Sequence, residues 1–240
     1  MHNSPSLMIP QLAANPGAPF PGPDSALDVP DGLLAWGGDL HPRRLRNAYR
    51  QGIFPWYSDG QPILWWNPAR RCVLFPGQVH ISGRLRRLLR QQRFEVTADT
   101  AFAEVIAACA RSRGDESGTW ITQDMREAYT RLHFEGLAHS IEVWDQGRLA
   151  GGLYGIVLGG VFFGESMFSA VSNASKVALV TLCRQLEGHG YGLLDCQLSH
   201  PHLLSMGAVE IPRQRFLELL DAHAGRPDPV PAFAELFAVG

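Results

Sequence analysis

The chain has 240 residues, 45% hydrophobic and 18% charged, with a formal net charge of −2. That composition can bury a self-sufficient core, which excludes a disordered protein and removes the need for disulfide or metal staples. No apolar stretch approaches the roughly 18 uninterrupted residues of a membrane span, and a near-neutral sum excludes a chain coated in positive charge while leaving local patches open.

The opening MHNSPSLMIP lacks a basic flank, an apolar run and a small-residue cleavage site, so the expected compartment is the cytoplasm. Residues 1–70 are rich in Pro, Gly and Trp and are expected to form a small, loop-rich N-terminal domain; residues 71–240 form the larger one. Within the first, HPRRLRNAYRQG predicts a helix, with Pro42 in its first turn and Gly52 at its C-terminal end. In the second, HISGRLRRLLRQQRF (80–94) sets Arg84, Arg86, Arg87, Arg90 and Arg93, with no acid among them, against a stripe of Leu85, Leu88 and Leu89. This predicts a basic amphipathic helix whose arginines are either a solvated face or a contact for RNA phosphates or acidic lipids.

Asp99 is expected to cap a helix carrying Phe102, Val105, Ile106 and Cys109, and Thr122 one carrying Met125, Ala128, Tyr129 and Leu132. Three strand-like runs follow, SIEVW, LAGGLYGIVL and VFFGESMF, separated by Asp145-Gln146-Gly147 and Gly159-Gly160, which suits an antiparallel meander. Asn173 then caps a helix to about Glu187, Gly188 and Gly190 end it, and GLLDCQL is another strand. The segment RPDPVPAF reads as an irregular tail. The expected class is α+β, a mostly antiparallel sheet flanked by helices.

Several uncommon strings occur in order: PDGLLAWGGDL, AYRQGIFPWY, ILWWNP, GTWIT, AHSIEVW, GGLYG, FGESMFS, NASK and DCQ. From about residue 20 to 220 the chain resembles the leucyl/phenylalanyl-tRNA–protein transferases. The resemblance implies an acetyltransferase-like (GNAT-type) larger domain. It also implies transfer of Leu, Phe or Met from aminoacyl-tRNA to proteins with N-terminal Arg or Lys, marking them for N-end-rule degradation. The expected partners are those two substrates, with no membrane and with the chain acting as a monomer.

In an extended strand alternate side chains share a face, so Asp195 and Gln197 are expected to project together, with Cys196 opposite. Such a pair either orients a reacting amine or satisfies neighbouring backbone groups; the resemblance implies the former. Glu165 lies among Phe162, Phe163, Met167 and Phe168, where an ionised carboxylate needs a partner. It either holds the acceptor or the donor amine, or braces a hydrogen-bond network; the resemblance implies a functional, catalytic position. Trp56, Trp65, Trp66 and Trp120 are all candidates for stacking on an unpaired base, and the resemblance implies that Trp56 and Trp120 flank the terminal adenosine. Phe162 and Leu194 are expected to line the pocket for the donor side chain. Lys176, the sole lysine, caps, pairs or contacts substrate. His200 departs from the smaller polar residue common in the family.

No metal or cofactor is expected, because the four cysteines and nine histidines show no ligand spacing. An acyl-CoA N-acetyltransferase is the nearest rival, since Gln185 to Gly190 match its short pyrophosphate-loop pattern, although these glycines end a helix where such a loop begins one. Two others are a thiol enzyme using Cys196 with His200 or His202, and a non-catalytic tRNA-binding module.

Overall fold

The computed structural model describes residues 9–111, 119–226 and 233–237. The opening eight residues, and most of the segment expected to be an irregular tail, lie outside them.

The chain first forms β1 (Gln11–Leu12), β2 (Leu33–Gly37), α1 (Pro42–Arg50), β3 (Phe54–Pro55) and β4 (Leu64–Trp66). These strands make a small sheet in the order β1-β2-β4-β3. Helix α1 starts at Pro42, with His41 accepting the N–H of Arg43, and its end is released by Gly52 at φ 70°. Arg44 is fully buried and ties the entering segment down, donating to the carbonyls of Ala13 and Asn15 at 2.7 Å and to Asp39 at 3.1 Å.

Next come β5 (Arg70–Leu74), α2 (Gly83–Arg90), β6 (Glu95–Ala98), α3 (Phe102–Arg111), α4 (Gln123–Phe134), β7 (Ala138–Asp145), β8 (Arg148–Leu158) and β9 (Val161–Ser169). The chain continues through α5 (Ala174–Gly188), β10 (Leu193–Gln197), α6 (Pro201–Ser205), β11 (Val209–Pro212) and α7 (Arg213–Ala224). The larger sheet runs β11-β5-β10-β9-β8-β7-β6, antiparallel throughout except for the parallel pair β9/β10. The α+β class and the β7–β8–β9 meander are as the sequence predicts.

Strand alternation divides the apolar residues between two faces. Phe163, Leu193 and Val73 join α1, α3, α4, α7 and the buried Trp65 of the small sheet in one core. Phe162, Leu194 and Cys72 join α2 and α5 in the other. Gly155 permits the closest approach inside the meander, since a Cβ there would collide with the Phe163 carbonyl and the Phe162 ring.

Three expectations are corrected. Asp99 does not cap α3: it takes φ 58° and accepts the N–H of Ser140 at 2.9 Å and Nδ1 of His139 at 2.8 Å. The acid at the start of α3 is the buried Glu142 of β7, which accepts Thr100 and Ala101 N–H at 3.5 and 3.4 Å and the Thr97 and Thr100 hydroxyls. Asn173 stands at the start of α5, but at φ 68° and with no side-chain cap. The basic helix is shorter than expected. It ends at Arg90, so Arg93 lies beyond it and pairs with Asp145 at 2.5 Å. Thr122 does cap α4, accepting the N–H of Met125.

Candidate active site

Parallel pairing of β9 and β10 ends at Phe163 opposite Asp195. Beyond that point β9 runs on towards Ser169 beside β8, while β10 stops at Gln197. The strands separate there, and a cavity of about 580 Å³ opens between them. Its wall includes Trp56 and Trp120, Phe162 and Leu194, Glu165 and Gln197, and, near the start of α6, His200 and His202. The side of α5 contributes Leu179 and Leu182.

Glu165 reaches this space because of a bulge. Tyr154 pairs with Ser166 and Gly155 with Gly164, so Glu165 is the extra residue of β9, and a bulge re-aims its side chain. Its carboxylate accepts the Tyr49 hydroxyl of α1 at 2.7 Å, the Tyr129 hydroxyl of α4 at 3.0 Å and Nε2 of Gln197 at 3.3 Å. The two tyrosine hydroxyls also touch each other. Burial raises the Glu165 pKa to about 7, against the pull of both tyrosines; the Asp195 charge adds to the rise and Arg71 opposes it. Both tyrosines are themselves held well above their ordinary range, by burial and by the Glu165 charge. The carboxylate therefore titrates in the range where an α-ammonium gives up its proton.

Asp195 does not join Gln197 in the cavity wall, contrary to what strand alternation predicts. Asp195 is fully buried and absent from the cavity wall, whereas Cys196 contributes to it. Both Asp195 oxygens are engaged by Arg71, Nε at 2.8 Å and Nη2 at 2.6 Å, and Oδ1 also accepts the N–H of Gln197 at 2.9 Å. The Arg71 guanidinium lies between the rings of Phe54 and Phe216, at 4.8 and 4.5 Å. The register of β10 against β5 shifts between Asp195 and Gln197, and Gln197 adopts φ 54°. A two-residue period assumes an extended backbone, and the left-handed turn breaks it.

The tryptophans separate by role. Trp56, 42% exposed, and Trp120 line the cavity. Trp65 is buried and donates to the Gly37 carbonyl, while Trp66 donates to that of Trp56 at 2.7 Å and buttresses its ring. Phe162 and Leu194, both buried, line the same cavity. Arg84, Arg86, Arg87 and Arg90 are exposed along α2, outside the cavity wall. Cys196 is a poor nucleophile: a hydrogen bond with Cys72 and burial hold its thiol well above the usual range. His200 accepts the N–H of His202 through Nδ1, and burial, with Lys176 and His200 close by, lowers the His202 pKa.

A family model described as leucyl/phenylalanyl-tRNA protein transferase matches residues 73–221, and one for the N-terminal domain of the same proteins matches residues 38–69. The chain belongs to the leucyl/phenylalanyl-tRNA–protein transferase family. A protein of that name from Aromatoleum aromaticum is 60% identical over 209 residues, 87% of each chain. Another, from Chromohalobacter salexigens, is 57% identical over 220 residues, 92% of this chain and 86% of its own. Among solved structures, FemX is similar with a TM-score of 0.44 at 12% identity, covering 74% of this chain and 70% of FemX.

Sequence reasoning about this family member missed Tyr49, Tyr129 and Arg71. Tyr129 was legible only as part of the apolar stripe of α4, because periodicity reports a buried face and not a hydroxyl aimed at a carboxylate. Tyr49 lay inside AYRQGIFPWY, and Arg71 carried no signal at all.

Proposed function

We propose that this chain moves Leu, Phe or Met from aminoacyl-tRNA to the α-amino group of proteins that begin with Arg or Lys. In the cytoplasm this transfer marks those proteins for N-end-rule degradation, and the chain acts as a monomer. The observation that carries the reading is that one cavity is lined by both apolar and polar side chains. Phe162, Leu194, Leu179 and Leu182 supply an apolar recess, while Glu165 and Gln197 supply polar groups on the same wall. Trp56 and Trp120 offer aromatic faces to the terminal adenine, and the exposed arginines of α2 serve the RNA phosphates.

The chemistry follows from the placing of Glu165. Its carboxylate, half ionised near pH 7, takes a proton from the acceptor's α-ammonium, leaving a lone pair to attack the ester carbonyl carbon. As the tetrahedral intermediate collapses, the C–O bond to the ribose breaks and one of the two protons left on the former ammonium nitrogen passes to the leaving ribose oxygen, giving the amide and the free hydroxyl. Gln197 donates to Glu165 through its amide nitrogen and offers its amide oxygen to the amine. Holding amine and ester together supplies much of the acceleration. The rival acetyltransferase pattern, Gln185 to Gly190, spans the end of α5 and not the start of a helix, so its amides are not arranged to cradle a pyrophosphate.

The test is to incubate the protein with leucyl-tRNA and a peptide beginning with Arg, and to look for a mass gain of one leucine residue. Acetylation from acetyl-CoA without leucine transfer would replace this reading by its rival.

A further inference from the structure

The Arg71–Asp195 pair is completely buried, and neither residue forms part of the cavity wall, although Arg71 packs on Phe54 and Asp195 holds Gln197, both of which do. Desolvating two charges is costly, and an apolar pair of similar volume is often as stable, so stability alone gives little reason for it. Its geometry has another consequence. The Asp195 oxygen that takes Nε of Arg71 also takes the N–H of Gln197, at the residue where β10 leaves its register. Gln197 is held there at φ 54°, a left-handed conformation that is unfavourable for a non-glycine residue and persists only where its surroundings over-determine it. From that backbone its amide reaches Glu165.

Resting on the reading of the cavity as the transfer site, we infer that Arg71 is a positioning residue for aminoacyl transfer. Through Asp195 it fixes the turn at Gln197, and so sets where the Gln197 amide and the Glu165 carboxylate meet the incoming amine. Asp195 itself is a positioning residue, since both its oxygens are occupied.

The pair also acts on Glu165 through its charges. The groups around that carboxylate are Tyr49 from α1, Tyr129 from α4, Asp195 from β10 and Arg71 from β5; Tyr154 of β8 stands behind the tyrosines, and His200 and His202 line the same cavity. Asp195 favours the protonated form and Arg71 the ionised one. Neutralising either alone therefore moves the titration of Glu165 in opposite directions, which a residue that merely fills space does not do.

The experiment compares wild type with Arg71→Met/Asp195→Asn, which removes both buried charges together, and with each single change. Melting is followed, and kcat and KM are measured for leucyl-tRNA and an Arg-initiated peptide. The side-chain amide signals of Gln197 are followed by NMR across pH without substrate. The double variant is expected to melt cooperatively and to keep its donor KM within about twofold, while kcat falls about tenfold or more. Its Gln197 amide is expected to lose the titration that Glu165 imposes. In the pH profile of kcat/KM relative to wild type, which follows Glu165 whether or not the Gln197 amide stays beside it, Asp195→Asn lowers the midpoint and Arg71→Met raises it. If Arg71→Met does not fold, Arg71→Lys keeps the charge without the two-pronged grip, and is expected to lower kcat at an unchanged midpoint. Wild-type kcat with an unaltered Gln197 amide in the double variant would overturn the inference, as would single changes moving the midpoint the same way. If wild type itself transfers no leucine, the functional reading fails, and the amide signals still decide whether the pair sets Gln197.

Discussion

Replacing Tyr49 by Phe removes one hydroxyl, donated at 2.7 Å to Glu165, and leaves the ring that packs edge-on against Phe163. A hydrogen bond to an ionised group contributes roughly 1.5–3 kcal/mol, and each pKa unit corresponds to about 1.4 kcal/mol. The hydroxyl favours the ionised carboxylate, so its loss moves the Glu165 pKa upward from about 7 by about one to two units. Tyr129, released from its contact with Tyr49, still donates to Glu165 and holds the change towards the lower figure. At pH 7 the ionised fraction drops from about half to between about a tenth and a hundredth, which lowers transfer about 5- to 50-fold. The assay is kcat/KM for leucine transfer from about pH 5 to pH 10. The acceptor's own ammonium, with a pKa of roughly 7.7–8.0, titrates in the same span, so the quantity to follow is the ratio of variant to wild type with one peptide. That ratio should climb with pH and approach unity on the alkaline side. A ratio that stays low and flat, or a midpoint displaced to lower pH, would refute the assignment of Glu165 as the group whose ionisation limits transfer.

The same carboxyl leaves a mark on stability. Its folded pKa, about 7, exceeds its ordinary value of 4.5, so the folded protein keeps a proton that the unfolded chain releases. Stability should therefore fall as pH rises between those two values, and Glu165→Gln should flatten that slope in denaturant titrations. Trp56→Ala is expected to raise KM for leucyl-tRNA, since stacking on a base contributes about 1–3 kcal/mol, without changing the melting temperature of a residue 42% exposed. Trp65→Ala, in contrast, should cost about 3–5 kcal/mol in stability because that ring is fully buried. Leu194→Ala widens the apolar recess and should raise transfer of Ile relative to Leu by about tenfold, measured as a ratio of kcat/KM, because the clash of a β-methyl with a tight wall is worth roughly 1–3 kcal/mol. Replacing Arg86, Arg87 and Arg90 with Ala should flatten the salt dependence of tRNA binding by roughly 0.7–0.9 log units per lost contact, whereas Arg93→Ala, whose partner is Asp145, should leave the slope unchanged.

Local chemistry was legible where a single short-range effect decides the backbone. Thr122 caps α4, Pro42 opens α1, Gly52 lets it end, and the pairs Gln146-Gly147 and Gly159-Gly160 close the two turns of the meander. The apolar stripes of α3 and α4 identified their buried faces. The strings GIFPWY, FGESMFS and DCQ led to residues that border one cavity, although nothing in their spacing says that they meet. Asp99 illustrates the limit. Its residue type and place suit a cap, yet the sheet brings Glu142 of β7 to the same helix end and leaves Asp99 to Ser140 and His139.

The sequence by itself determined the class of fold, the succession of most elements and the family, because hydrophobic period, turn residues and caps act within a few positions of one another. Tertiary structure alone decided which polar side chains share the site. Arg71 meets Asp195 across 124 positions of chain, and Tyr49 meets Glu165 across 116. Such pairings depend on strand order and on two local irregularities, the bulge at Glu165 and the left-handed turn at Gln197. A bulge or an inverted φ reverses the face on which every later side chain of a strand appears, and the energy that holds either in place comes from distant partners and not from the residues beside it.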